Sequence, residues 1–90
     1  MVHEIKLRES FADAVMSGEK NFEVRLNDRG YQKGDYVVFK VVTDDGLDTV
    51  DSILNKWFFE ITYVLSGWGI KENYCVFGIR RATYMEEVKG

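Results

Sequence analysis

The chain has 90 residues, 46% of them apolar, with 12 Lys and Arg against 15 Asp and Glu, a formal net charge of −3 and a pI near 5.1. A chain of this length forms one domain that removes about 60–65% of its unfolded surface from water, with no material left for a second core. A 14% aromatic and 30% charged composition excludes a disordered tail, and the acidic pI excludes a domain that grips nucleic acid through bulk charge, for which a pI above ~9 is expected.

The first strand is expected at His3–Leu7. Ser10 then stands as the N-cap of a helix reaching Ser17, with Asp13 three residues on and Phe11, Ala14 and Val15 on one face. Gly18 stops it, because a helix end commonly needs a left-handed residue. At about two turns this helix is too short to stand alone and must dock on something. From Asn21 the period becomes two: Phe22, Val24 and Leu26 form the expected buried face of a second strand, with Asn21, Glu23 and Arg25 opposite. Asn27-Asp28-Arg29-Gly30 and Lys33-Gly34-Asp35 have turn chemistry, and a third strand runs from Tyr36 to Thr43. Residues 44–51 hold four aspartates and no base, the composition of an exposed loop. Lys56–Leu65 predicts a strand burying Trp57, Phe59, Ile61, Tyr63 and Leu65 on one face. Ser66-Gly67-Trp68-Gly69 breaks it, Tyr74–Arg81 is the last strand, and residues 82–90 form a polar tail on a core spanning about 3–81. Five short strands and one helix between the first two define a mainly β, α+β domain, curled into a small barrel whose open end the helix plugs.

Cys75 has no partner in the chain for a disulfide, and with a single His elsewhere it makes neither a metal site nor a thiol catalyst; it reads as a small apolar strand residue. No metal and no organic cofactor are implied. MVHEIKLRE lacks the apolar core of a signal peptide, and the longest apolar runs, such as Tyr36–Phe39, fall far short of the ~20 residues of a membrane span. The expected setting is a reducing cytoplasm, away from membranes.

Charge is unevenly placed. Outside residues 44–51 the chain carries 12 basic against 11 acidic residues, a net of +1. Glu23 and Arg25 lie two apart on a strand and project from one face, and Lys20 sits between the helix end and that strand. An amine, a carboxylate and a guanidinium gathered at a barrel mouth suit a polar planar ligand: Lys20 and Arg25 contact phosphate or carbonyl, and Glu23 accepts from an amine or orients Arg25. Asn27, Asp28 and Arg29 then shape the rim. The same alternation also describes a solvated face with a weak ion pair. Trp68, between two glycines, offers either a stacking surface for a base or a cap for one end of the core; Tyr31 and Tyr74 share that choice. His3 reads as a structural hydrogen-bonder, with proton carriage as its other role. Arg80 and Arg81, being adjacent, point to opposite faces.

Ser17-Gly18-Glu19-Lys20-Asn21-Phe22-Glu23-Val24-Arg25, followed by Asn27-Asp28-Arg29 and Gly34-Asp35, resembles the ASCH domain (activating signal cointegrator homology), whose Gly-x-Lys-x-x-Glu-x-Arg pattern is met by Gly18, Lys20, Glu23 and Arg25. His3–Leu7 and Val64–Ile70 are similar to a compact bacterial and phage branch, so the resemblance covers roughly residues 3–80. It implies a PUA-like β-barrel with RNA or a modified nucleotide in the cleft of Lys20, Glu23 and Arg25. Some small relatives are amidohydrolases of acetylated cytidine that use a lysine, a threonine nucleophile and a glutamate. Glu23 stands here where that threonine belongs, so the hydroxyl is missing and the enzyme reading is left with Lys20 as base and Glu23 activating a water. The expected function is binding of RNA or a modified nucleotide. Hydrolysis of an acylated nucleoside and a protein-interaction module are the alternatives.

Overall fold

The computed structural model describes residues 1–82; the remainder of the expected polar tail lies outside the described residues. The elements are β1 (Val2–Arg8), α1 (Glu9–Ser17), β2 (Phe22–Leu26), β3 (Tyr36–Val42), a 3₁₀ turn (Ile53–Lys56), β4 (Phe58–Leu65) and β5 (Tyr74–Arg81). They build a five-stranded mixed sheet in the order β1-β3-β4-β5-β2, curled into a half-barrel. β1 pairs in parallel with β3, while β3–β4, β4–β5 and β5–β2 are antiparallel. The expected mainly β domain with one helix between the first two strands is therefore present. The two strands that flank the helix in sequence stand at the two ends of the strand order.

The concave side holds the core, where Val37, Phe39, Val41, Leu54, Ile61, Cys75 and Phe77 are fully enclosed. Phe39 meets Phe59 edge-on, with ring centroids 5.3 Å apart. The 3₁₀ turn contributes Leu54 to this core, and its neighbour Asn55 accepts from the Val41 N–H at 2.8 Å and donates to the Val50 carbonyl at 3.0 Å. One amide side chain thereby pins the 44–51 segment to β3. Burial pushes the Cys75 thiol above its ordinary pKa, so it stays protonated and unreactive. A disulfide exchange reagent should leave Cys75 unmodified in the folded protein and label it within the mixing time in denaturant; equal rates in both states would refute its enclosure.

Four expectations are corrected. The helix begins at Glu9, and Ser10 is not its cap: Arg8 holds the N-cap position without a side-chain bond, and the Ser10 N–H instead donates to Asp44 Oδ1 at 3.1 Å. A carboxylate from a distant loop satisfies one of the amides that every helix start leaves over. The buried helix face is Ala12 and Val15, whereas Phe11 is 45% exposed. The single apolar row expected in β4 is broken between Ile61 and Tyr63 by a β-bulge. An extra residue there reverses the in–out parity, so Tyr63 turns outward at 64% exposed and Val64 joins the core.

The last correction places the site. Phe22, Val24 and Leu26 are exposed, and Glu23, expected on the outer face, is 3% exposed. β2 takes its register from β5, with Glu23 opposite Phe77 and Arg25 opposite Cys75. Residues opposite each other in a ladder share a face, and β5 buries Cys75, Phe77 and Ile79. Backbone bonds from Ile79 N–H to the Asn21 carbonyl (2.9 Å) and from Asn27 N–H to the Asn73 carbonyl (2.8 Å) lock both ends of this pairing. The strongly apolar row of β5 decides the parity, and the weaker apolar row of β2 is left outside.

Candidate functional site

The end of α1 aims Lys20. Gly18 closes the helix at φ 82°, a conformation that glycine adopts without strain, and the Lys20 N–H bonds back to the Ala14 carbonyl at 2.9 Å. Its ammonium then donates to the Phe22 carbonyl at 3.0 Å and to Glu23 Oε2, lying 5.2 Å from the ring centroids of both Phe11 and Phe22. Arg25 takes the other carboxylate oxygen, with Nε at 3.0 Å and Nη2 at 2.8 Å from Glu23 Oε1. Lys20, Glu23 and Arg25 thus converge, as the spacing anticipated, and each oxygen of a buried carboxylate is held by a cation. The weak ion pair of a solvated face is not what forms here.

β1 and β2, the ends of the strand order, face each other across a seam without a ladder between them. Side chains bridge it instead. Arg25 Nη2 donates to the Lys6 carbonyl, and Arg29 Nη1 donates to the Glu4 carbonyl at 2.8 Å. Guanidinium groups suit this work because their fixed fork reaches carboxylate and carbonyl acceptors together. Two grooves open beside the bridges. One, of about 650 Å³, is lined by Lys6, Arg8, Phe11, Lys20, Phe22, Glu23 and Arg25 among others. Its walls hold four cations against one carboxylate, and its two aromatic residues are nearly half exposed. The other, of about 350 Å³, brings Lys6, Arg25, Arg29 and Lys40 together with Glu4 and Asp28. Tyr31 closes its floor; burial raises the pKa of its phenol, against the pull of Arg29 and Arg25, and keeps it a neutral donor.

The remaining expected site residues separate. Asp28 and Arg29 line the smaller groove, which shares Arg25 with the larger one but holds neither Lys20 nor Glu23, whereas Asn27 serves the turn, its Oδ1 accepting the Tyr31 N–H at 3.3 Å. Trp68 lines neither groove. It is 90% exposed at φ 54° in the β4–β5 loop, so it caps no core. Tyr31 is buried between His3 and Phe77, each 4.8 Å away by ring centroid. His3 is itself buried, its Nε2 2.9 Å from Asp35 Oδ2, in the structural role. Arg80 pairs with Glu60, and Arg81 stacks 3.5 Å over Trp57 on the other side. Sequence reasoning missed Lys6, Arg8 and Phe11. The outward positions Glu4, Lys6 and Arg8 of β1 were legible as a charged row, but nothing local showed that β2 would face it. Among the described residues no cluster of His, Cys, Asp and Glu could hold a metal, and no helix is long and apolar enough to cross a membrane.

The architecture is shared with solved structures at low sequence identity. The crystal structure of the hypothetical protein PH0355 superposes with a TM-score of 0.60 at 16% identity, over 91% of this chain and all of that one. The solution structure of protein PF0455 from Pyrococcus furiosus superposes with a TM-score of 0.50 at 15% identity, over 93% of this chain and all of that one. At such identities the likeness concerns the fold alone. A 12.9 kDa protein encoded in the GpA 3′ region of Escherichia phage P2 is 40% identical over 37 residues, 41% of this chain. That match spans about a third of the relative's length (34%). Residues 2–79 match the family described as domain of unknown function DUF3850, and the chain belongs to that family.

Proposed function

We propose that the protein binds RNA or a modified nucleotide in the groove beside Lys20, Glu23 and Arg25, as the resemblance to the ASCH domain implies. The observation that carries this reading is the groove's lining, four cations against one carboxylate with exposed Phe11 and Phe22 in its wall. Phosphate answers the cations and a base answers the rings; base–aromatic stacking is worth about 1–3 kcal/mol per base. Because the whole chain is net negative, affinity comes from these local contacts rather than from long-range steering. Glu23 acts by holding Lys20 and Arg25 in place. With both its oxygens taken by cations it is poorly disposed to activate a water, which favours binding over hydrolysis.

Adding a short RNA to the isotope-labelled protein should shift amide signals of residues 6–11 and 18–25, leaving those of the β4–β5 loop in place. Phe11→Ala should weaken binding about tenfold through lost stacking, and Arg8→Ala about fivefold through one lost phosphate contact. Both side chains are exposed, so neither change endangers the fold. Signals that ignore RNA, nucleosides and nucleotides alike would refute the reading.

A further inference from the structure

The two grooves adjoin at the Arg25–Lys6 bridge of the seam. They share Lys6 and Arg25, and the distance along β1 from Glu4, in one, to Arg8, in the other, is about 13 Å at the usual strand rise. Cations recur over that whole length: Lys40 and Arg29 at one end, Lys6 and Arg25 midway, Arg8 and Lys20 at the other. Against the three carboxylates of the same walls, Glu4, Asp28 and Glu23, these six cations leave an excess of three, more than the phosphate of one nucleotide neutralises. Lys6 and Lys40 also lie directly opposite each other in the β1–β3 register, and neither forms an ion pair among the described residues. A like-charge cross-strand pair opposes folding, which is the arrangement expected where a bound anion removes the repulsion. Aromatic walls occur at the Phe11–Phe22 end, which offers a stacking surface for a base at the end away from Lys40.

The 44–51 loop borders the same end. Asp44 is tied to the start of α1 through Ser10 N–H, and Gly46 lies in the groove wall. Asp44 therefore sits near this end of the track, where the phosphates of a second strand would meet like charge.

We propose that the seam takes one extended single strand of RNA lying across both grooves, so that its ligand is a run of linked nucleotides and not an isolated one. The proposal rests on the nucleotide-binding reading above and adds the length and strandedness of the ligand.

The test compares cytidine 5′-monophosphate, an eight-nucleotide oligouridine RNA and that octamer annealed to oligoadenosine, each titrated at several salt concentrations. The octamer should bind at least tenfold tighter than the monophosphate and tighter than the duplex. Its log–log salt slope should be about −2 to −3, near −0.7 for each phosphate engaged. Lys40→Ala should reduce that slope by about one contact; Lys40 is exposed, and its removal relieves the pairing with Lys6. A monophosphate that binds as tightly as the octamer, with a slope indifferent to Lys40→Ala, would overturn the extended strand and leave the nucleotide reading standing. A duplex bound as tightly as the single strand would overturn the strandedness. Failure of all three probes to bind would overturn both readings.

Discussion

Replacing Glu23 by alanine should lower the melting temperature by roughly 10–20 °C, a loss of about 2–3 kcal/mol in a domain of this size. The side chain is 3% exposed and accepts from Lys20 on one oxygen and from Arg25 on the other. Its removal leaves two cations facing each other in a half-buried place with no anion between them. The larger part of the cost is that uncompensated charge, because an intact buried pair contributes little net stability once desolvation is counted. Glu23→Gln keeps the shape and some hydrogen bonds, so it should fall between wild type and alanine. Replacing the set together, by Lys20→Met, Glu23→Leu and Arg25→Met, should recover most of the stability while eliminating nucleotide binding. Circular dichroism melts of wild type and the three variants decide the matter. An unchanged midpoint for Glu23→Ala would mean that the carboxylate is solvated and the cluster ornamental.

The second large effect concerns the other end of the half-barrel. Asp35→Ala should cost about 2 kcal/mol, the order expected when a buried partner loses its acceptor. Asp35 Oδ2 lies 2.9 Å from the ring nitrogen of enclosed His3 and accepts the Gln32 N–H at 3.2 Å. Burial alone would raise the Asp35 pKa. The bond to His3, the Gln32 amide and the chain's amino group together outweigh it and hold the carboxyl below its ordinary value of 3.8. The folded state therefore binds this proton less readily than the unfolded state. The stability Asp35 contributes is present above about pH 4 and is lost as the pH falls through its folded value. Urea midpoints of wild type and Asp35→Ala should thus differ at pH 6 and converge on acidification below pH 4. Curves that stay parallel down to pH 2.5 would show that Asp35 has no depressed pKa.

Much of the fold was legible because strand, turn and helix-stop signals are local. The last strand was read at its observed bounds, and Gly18 ends the helix through the one residue type that takes φ 82° freely. The convergence of Lys20, Glu23 and Arg25 was equally local, since two of them alternate on one strand and the third sits at its entry. The errors fell where two segments had to choose between competing faces. Phe22, Val24 and Leu26 look like a core face by themselves, and the Ile61–Tyr63 bulge leaves no mark in an alternating row.

The acidic pI with which the composition opened keeps its meaning, but its reach is now limited. By itself the sequence determined the number and kind of the main elements and which charged residues stand close along the chain. Only the tertiary structure decided which face of β2 is inside, because that parity follows from its ladder with β5, a partner some fifty residues away in the chain. It also decided that Lys6, Arg8 and Lys40 join Lys20 and Arg25 along one seam, since bringing β1 against β2 is a consequence of the sheet's curl and not of any neighbouring residues. A net charge of −3 is a sum over the surface; the cationic seam is a local excess that only folding assembles.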